Sequence, residues 1–254
     1  MIIRKSAAEI EGMARAGALL AETLALVGEH LEPGVTMREL DRIADEHLAA
    51  NGATPTSKGY KGFPAALCIS PNSMVVHGIP GDYGARQGDL ISLDLGVTLD
   101  GLVADSAVTL PVGEISPEAQ RLLDVCREAL AAGIDQARVG NHLTDISHAV
   151  QTVVEGAGFS VVRALVGHGV GRSYHEEPQI PNYGAPGRGP VLQEGMTLAI
   201  EPMITAGEPD VYVHDDQWSI SSVDESLAAH FEHTVAITED GPRVLTAAGR
   251  ALLR

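Results

Sequence analysis

Two aspartates near the middle of the chain have a spacing that could hold a metal ion. Asp94 and Asp105 lie in apolar segments separated by Asp100 and Gly101, a residue pair typical of a two-residue β-hairpin turn. A hairpin closed there pairs Gly96 with Asp105, so both carboxylates lie on one face, about 7–8 Å apart at Cα. Like charges this close repel unless a cation lies between them. The hairpin therefore predicts a cation site; the alternative is one turn cap and one solvated side chain.

Three further residues could complete such a site. Glu201 and Glu232 are embedded in apolar, strand-like segments, where an unpaired charge is expensive to bury. His168 lies among glycines, which let the backbone approach closely and expose the imidazole. A lone histidine there is more often a hydrogen-bonded structural residue. Together with the two aspartates, however, these side chains form an oxygen-rich set suited to a pair of divalent ions.

Other interpretations of these segments have less support. The sequence contains no HExxH motif, so the usual single-zinc protease lacks its signature. No Gly-Lys-Ser/Thr follows His168, which excludes a phosphate-binding loop of that type. Strand alternation places His233 on the face opposite Glu232, and we expect a hydrogen-bonded core residue there and not a ligand.

Helix caps and apolar periodicity predict four helices that position these residues. Ser6 with Glu9 and Thr36 with Glu39 form capping-box pairs. The third helix is predicted to begin after Ser116, at Pro117, and the fourth is predicted to be capped by Thr144 and to run toward Gly156 and Gly158. Strands are predicted around residues 65–78, 88–110, 160–167, 195–205 and 229–238.

The order of elements is repeated along the chain. Two helices followed by strands occur twice, and Gly34 and Gly52 recur 106 positions later as Gly140 and Gly158. We therefore expect one α+β domain over residues 1–254, built from two related halves at approximately 1–112 and 113–254, each with two helices and antiparallel strands.

Composition limits the function classes. A formal net charge of -17 argues against a nucleic-acid partner but is compatible with a cationic peptide N-terminus. Two cysteines, Cys68 and Cys126, provide no disulfide framework, and the sequence shows no signal peptide or membrane-spanning run. We expect a monomer that is soluble, cytoplasmic and not bound to membranes.

Ordered motifs along nearly the whole chain closely resemble those of the type I methionine aminopeptidases. They are Cys68-Ile-Ser-Pro-Asn72, Val76-His77-Gly-Ile-Pro80, the Asp94/Asp105 hairpin, Gly167-His168-Gly-Val-Gly171, His175-Glu-Glu-Pro178, Glu201-Pro-Met203 and Phe231-Glu232-His-Thr234. The resemblance implies the pita-bread fold, an α+β architecture of two pseudo-symmetric halves. It also implies removal of N-terminal methionine from new polypeptides, with a preference for a small second residue.

The resemblance assigns a role to each metal ligand. Asp94 would chelate one ion, Asp105 and Glu232 would bridge both, and His168 and Glu201 would complete the shell of the other. The cofactors would be two divalent ions, and the ligand set leaves Co, Mn, Fe and Zn open.

It also implies the substrate contacts and the proton transfers. Glu201 would act as the general base, and His77 and His175 would contact the substrate without binding metal. The methionine pocket would be lined by Tyr60, Phe63, Cys68, Tyr174 and Trp218, although Trp218 alone could equally be an ordinary core residue. Three positions depart from the family pattern: Ser57 stands where some members have Cys, Ala104 where Gly often precedes the second Asp, and His230 where Gln is usual.

Two rivals share the same fold. Peptidases that cleave next to proline carry a large additional N-terminal domain, for which 254 residues with a helix starting near Ser6 leave no room. A non-catalytic pita-bread module that only binds peptides would have lost metal ligands, and all five are present in this sequence.

Overall fold

Four α-helices are present in the described part of the chain, residues 1–247 of a computed structural model. They are α1 (Ala7–Glu29), α2 (Met37–Ala50), α3 (Pro117–Gln136) and α4 (Leu143–Gly156). None of the helices within those residues is both long enough and apolar enough to cross a membrane.

Three of the helices begin at the predicted caps. The Ser6 hydroxyl accepts the Glu9 N–H at 3.3 Å and the Glu9 carboxylate accepts the Ser6 N–H at 2.9 Å, which completes the capping box. At α2 the Thr36 hydroxyl accepts from the backbone of residue 39, so one half of the predicted box forms. Ser116 caps α3, with Pro117 in the first turn.

The predicted cap of the fourth helix was wrong by two residues. His142 is the N-cap of α4, and Thr144 lies inside the first turn. The Asp145 carboxylate accepts the His142 N–H at 2.7 Å, and the Thr144 hydroxyl donates to the Arg188 carbonyl at 3.1 Å. A carboxylate three residues after the cap therefore satisfies the helix end, and the Thr144 hydroxyl is used to hold a neighbouring loop.

Fifteen strands, all paired antiparallel, form four sheets within residues 1–247. The strands are β1 (Thr54–Pro55), β2 (Cys68–Pro71), β3 (Met74–Val76), β4 (Leu90–Leu99), β5 (Leu102–Pro111), β6 (Ser160–Val161), β7 (Val166–Gly169), β8 (Glu176–Pro181), β9 (Thr197–Ile200), β10 (Met203–Thr205), β11 (Val211–Val213), β12 (Ile220–Ser222), β13 (Ala228–His230), β14 (His233–Thr238) and β15 (Gly241–Val244). The sheets are β1-β4-β2 with β5 on β4, β13-β10-β6, β11-β12-β3 and β15-β14-β9-β7-β8.

The predicted strand regions are occupied, but their continuity was overestimated. Residues 195–205 contain two strands separated at Glu201 and Pro202, and residues 229–238 are divided at Phe231 and Glu232. The strands β1, β8, β11, β12 and β15 were not predicted. Three of these, β1, β8 and β15, contain proline, which cannot donate to a ladder and weakens the strand signal in sequence.

Both halves of the chain contribute to one buried core. Its largest cluster includes Leu24 of α1, Leu93 of β4, Leu130 of α3, Ile146 of α4 and Ile200 of β9. The single domain over residues 1–254 stays a prediction. The backbone also repeats, since Gly34 and Gly140 have φ of +99° and +92°, and Gly52 and Gly158 have +71° and +81°. The division near residue 112 stays a prediction.

Candidate metal centre and active site

The β4–β5 hairpin has the predicted register. Asp100 and Gly101 form its turn with φ of 51° and 78°, both in the left-handed region that a type I′ turn needs. Asp94 lies opposite Ala107, and Gly96 lies opposite Asp105. Both aspartates therefore project from one face of the hairpin, as their spacing predicted.

Gly96 makes room for an aromatic side chain beside the two aspartates. A Cβ at this position would lie 2.7 Å from the Tyr174 ring, closer than real contacts allow. Tyr174 therefore packs directly on the backbone of Gly96, two residues after Asp94 and opposite Asp105. Cys68 approaches from the other side, because β2 places it opposite Asp94.

His168 extends from β7 toward two carboxylates. Its Nδ1 lies 2.9 Å from the Gly169 carbonyl oxygen, which can only accept, so Nδ1 carries the proton in this arrangement. The other nitrogen, Nε2, lies 3.6 Å from Asp105 Oδ2 and 3.5 Å from Glu201 Oε1. A backbone bond that fixes the tautomer and directs Nε2 at carboxylates is typical of a metal-binding histidine.

Backbone contacts hold Asp105 next to Glu232. The Glu232 N–H donates to the Ala107 carbonyl at 2.9 Å, and the Ser106 hydroxyl donates to the Glu232 carbonyl at 2.6 Å. The Thr234 hydroxyl accepts the Asp105 N–H at 2.9 Å and donates to its carbonyl at 2.8 Å. These bonds fix β5 against the segment that carries Glu232.

The carboxylates are buried without enough donors of their own. Within residues 1–247, Asp105 Oδ1 and Glu232 Oε1 are buried and have no hydrogen-bond partner. One ligand atom each from Asp105, His168 and Glu232 lies within 4.8 Å of the others. Unpaired buried oxygens are costly, and a cation among them removes that cost. The residues therefore fit a divalent metal ion.

Electrostatics within the cluster support the same interpretation. Burial, followed by the neighbouring Asp105 charge, raises the pKa of Asp94 to about 8. Burial and the nearby carboxylates raise the pKa of Glu232 well above its ordinary value. Burial opposes the charged form of His168, but Asp105 and Glu201 outweigh it and raise its pKa to about 9. Without a cation the cluster retains protons, and divalent ions would replace them.

Aromatic rings form the other end of the same site. Tyr60 and Tyr174 meet edge to face at 5.2 Å, and Phe63 and Trp218 do so at 5.1 Å. Trp218 packs with Phe63 and Cys68 in a small apolar cluster. Burial and the Asp94 charge raise the pKa of the Cys68 thiol well above its usual range, so it stays an apolar thiol.

Two histidines lie between the acidic and aromatic ends. His175 stacks on Tyr60 at 5.2 Å and lies 4.2 Å from the His168 ring, centroid to centroid. Burial and the charge of His168 lower the pKa of His175 to about 4, and burial lowers the pKa of His77. Both rings are therefore neutral donors near neutral pH. His77 has φ of 60°, a strained conformation often found at functional sites.

One cavity of about 160 Å³ connects all these side chains. Its lining includes every residue that the sequence singled out for the site: Tyr60, Phe63, Cys68, His77, Asp94, Asp105, His168, Tyr174, His175, Glu201, Trp218 and Glu232. The structure therefore brings together residues that are up to 172 positions apart in sequence, from Tyr60 to Glu232, and their roles stay predictions.

Two lining residues were not among the predicted site residues. Ser57 and Lys61 also border the cavity, with the Lys61 ammonium 5.3 Å from the Tyr60 ring centroid. Ser57 was noted only as a departure from the family pattern. The glycines at 59 and 62 around Lys61 are the signal in sequence that this segment turns sharply.

His230 and His233 differ in their relation to the site. His230 is buried behind Glu201, with its Nε2 3.6 Å from Glu201 Oε2, and it does not border the cavity. His233 Nδ1 lies 2.8 Å from the Thr246 hydroxyl in the core. The prediction of a hydrogen-bonded core histidine at 233 is confirmed.

Comparison with known proteins places the chain in a family. The profile of metallopeptidase family M24 matches residues 11–239. A methionine aminopeptidase of Clostridium perfringens (strain 13 / Type A) is 52% identical over 246 residues, 97% of this chain and 99% of that protein. The crystal structure of methionine aminopeptidase from Rickettsia prowazekii has a TM-score of 0.96 at 39% identity, and the match covers 97% of this chain and 100% of that one.

A more distant match shows how the same fold is used elsewhere. Prolidase from Pyrococcus furiosus has a TM-score of 0.78 at 25% identity, covering 98% of this chain and 66% of that one. The predicted α+β pita-bread fold is thereby confirmed, as is the resemblance to methionine aminopeptidases. The acidic cluster agrees with the metal dependence in the family's name. This chain belongs to metallopeptidase family M24.

Proposed function

We propose that this protein is a methionine aminopeptidase, which removes the N-terminal methionine of new polypeptides whose second residue is small. The observation that carries the proposal is the two-ended cavity, with four carboxylates at one end and an aromatic slot beside a thiol at the other. The acidic end suits a free α-amino group, and the slot suits an unbranched, polarizable thioether.

Two divalent ions are the cofactors in this proposal. Asp94, Asp105, Glu201 and Glu232 carry four negative charges when ionised, which equals the charge of two divalent cations. Asp94 would bind one ion, Asp105 and Glu232 would bridge both, and His168 and Glu201 would bind the other. Bound there, the ions would supply Lewis acidity and lower the pKa of water, and Co, Mn, Fe and Zn all suit the ligands.

The other residues of the cavity bind and orient the peptide. Glu201 accepts a proton as general base and passes it toward the leaving amine. His175, neutral near pH 7, donates a hydrogen bond to the carbonyl oxygen as negative charge develops on it. His77 bonds the substrate backbone nitrogen, and Tyr60, Phe63, Cys68, Tyr174 and Trp218 enclose the methionine side chain.

The cellular setting is proposed on simpler grounds. Cys68 and Cys126 are free and buried, as in proteins of a reducing compartment, and we propose a cytoplasmic location. We also propose a monomer that acts on peptide or nascent-chain N-termini without nucleic-acid or membrane contacts. Size-exclusion chromatography with light scattering tests the monomer directly.

A matched pair of peptides tests the proposed activity. Purified protein supplied with each divalent metal should release methionine from Met-Ala-Ser and leave N-acetyl-Met-Ala-Ser intact, because only the first has a free amine. Chelation should stop the reaction, and restored metal should restart it. Cleavage of both peptides at equal rates would indicate an endopeptidase, and cleavage of neither with any metal would favour the non-catalytic module.

A further inference from the structure

A buried ion pair connects the start of the chain to the loop that carries His175. The Lys5 ammonium donates to Glu176 Oε2, and the two side chains are only 1% and 4% exposed. Lysine and glutamate are almost never this buried unless they are paired. Neither residue borders the cavity, so the pair is separate from the site described above.

The other oxygen of Glu176 holds the loop itself. Glu176 Oε1 accepts the backbone N–H of Arg172 at 2.7 Å and that of Ser173 at 3.0 Å. The carboxylate therefore closes the turn just before Tyr174 and His175. Because one carboxylate joins the turn to Lys5, the loop has a fixed position relative to the segment before α1.

The first residues of the chain are themselves rigidly placed. The Lys5 N–H donates to the Gly195 carbonyl at 2.7 Å, and the residue 195 N–H donates to the Ile237 carbonyl at 2.9 Å. The loop fits closely around the lysine side chain, because a Cβ on Gly171 would lie 2.4 Å from Lys5 Cε. These backbone hydrogen bonds connect Lys5 through Gly195 to β14 and so fix the position from which its ammonium reaches Glu176.

The loop residues that follow the turn form one wall of the cavity. Tyr174 packs on Gly96, opposite Asp105, and the His175 ring contacts those of Tyr60 and His168. A displacement of about 1 Å at a group that contacts the reacting atoms can cost as much as about 100-fold in rate. The position of the loop is therefore a condition for the activity proposed above.

We propose that Lys5 is a positioning residue, which acts through Glu176 to hold His175 and Tyr174 in place for peptide hydrolysis. It contacts neither substrate nor metal, and it controls where the hydrogen-bond donor of His175 lies. The inference rests on the proposed aminopeptidase function for its effect on rate, whereas the link between Lys5 and the loop is independent of that function.

Kinetics on three variants test the inference. In Lys5→Met, kcat for Met-Ala-Ser should fall about 10- to 100-fold while KM and metal content change less than about twofold. Lys5→Arg keeps the positive charge and should recover part of kcat. The control is Arg243→Met, which removes an exposed β15 cation paired with Glu11 of α1 and should match wild type. Unchanged kcat in Lys5→Met overturns the inference.

A double-mutant cycle distinguishes positioning from general destabilisation. If Lys5 acts through Glu176, then Lys5→Met/Glu176→Gln should be no slower than the slower single variant. The double variant also removes both buried charges, so it remains informative if Lys5→Met leaves Glu176 uncompensated and fails to fold. Multiplicative losses in kcat would contradict an effect through Glu176.

Hydrogen exchange supplies a readout that needs no activity. The amides of Arg172 and Ser173 should exchange at least tenfold faster in Lys5→Met than in wild type, and at wild-type rates in Arg243→Met. Equal exchange in Lys5→Met and wild type would overturn the link. If wild type cleaves no methionyl peptide, the proposed function fails, and this exchange experiment still decides whether Lys5 holds the loop.

Discussion

Glu201 and Glu232 lie at the same break in two paired strands. His233 pairs with Ile200, and on the other side of the break Met203 pairs with His230. The two glutamates therefore lie in the same interruption of the strand pairing and take no part in the ladder. Pro202 has no N–H to continue the pairing, and the Glu232 N–H turns to the Ala107 carbonyl of β5. Leaving the ladder frees both carboxylates to face the acidic end of the cavity.

Replacement of Glu232, for which we propose a bridging role, should remove the stabilisation of the protein by metal. Without metal, burial and the neighbouring carboxylates disfavour the ionised form of Glu232, so Glu232→Gln should have a Tm equal to or above that of metal-free wild type. Metal should raise the Tm of wild type but not that of the variant. Calorimetric scans with and without chelator measure both effects. The control is Glu22→Gln, an exposed carboxylate of α1; a wild-type metal response in Glu232→Gln would remove the residue from the metal site.

The stability of metal-free protein should fall as pH rises from 6.5 to 8. Asp94 and His168 have pKa values of about 8 and about 9 in the folded state, raised from 3.8 and 6.5. The folded state thus holds more protons than the unfolded chain in this window, and stability is lost as they are released. One such group lowers Tm by about 4–8 °C over the window.

Saturating metal should abolish this trend, because cations replace the protons. His175 and His233, whose folded-state pKa values are lowered from 6.5 to about 4, oppose the trend only near pH 6.5, where the unfolded imidazoles are still partly protonated. Thermal scans at fixed ionic strength test the sign. A Tm that increases with pH in chelated protein would show that the acidic cluster carries no excess protons.

His175→Ala should lose turnover and keep metal. His175 lies near His168 but outside the set that fits the ions, and loss of one oxyanion donor costs about 10²–10³ in rate. Steady-state kinetics and metal analysis on the same sample check this. His148→Ala, an exposed histidine of α4, is the control. Loss of metal in proportion to rate would make His175 a ligand instead.

The side-chain slot should favour methionine over leucine by a moderate factor. Both are apolar and similar in size, so burial alone discriminates by about 1–3 kcal/mol, whereas a lysine side chain would be buried without a partner. We expect kcat/KM to decrease from Met-Ala-Ser to Leu-Ala-Ser, with no cleavage of Lys-Ala-Ser and little of Met-Lys-Ser. If Leu-Ala-Ser were the better substrate, the methionine assignment would be wrong while the aminopeptidase could stand.

Local sequence signals were sufficient to predict those features that depend on residues close together in the chain. The Asp100-Gly101 turn fixes the register of β4 and β5, so the shared face of Asp94 and Asp105 followed from the sequence. The breaks at Glu201 and Glu232 could not be predicted from the sequence. They depend on the pairing of β9 with β14 and of β10 with β13, and these strands are distant in sequence. Lys5 was likewise not recognised, since its partner lies 171 positions away.

We propose that the four carboxylates and His168 hold the ions on which methionine release depends. The most direct test is to titrate a divalent metal into chelated protein and measure bound metal and Met-Ala-Ser hydrolysis in the same samples. The account predicts no hydrolysis at zero metal, a rise in rate with bound metal, and saturation of binding at two ions per chain. Full hydrolysis by protein that contains no metal would contradict it.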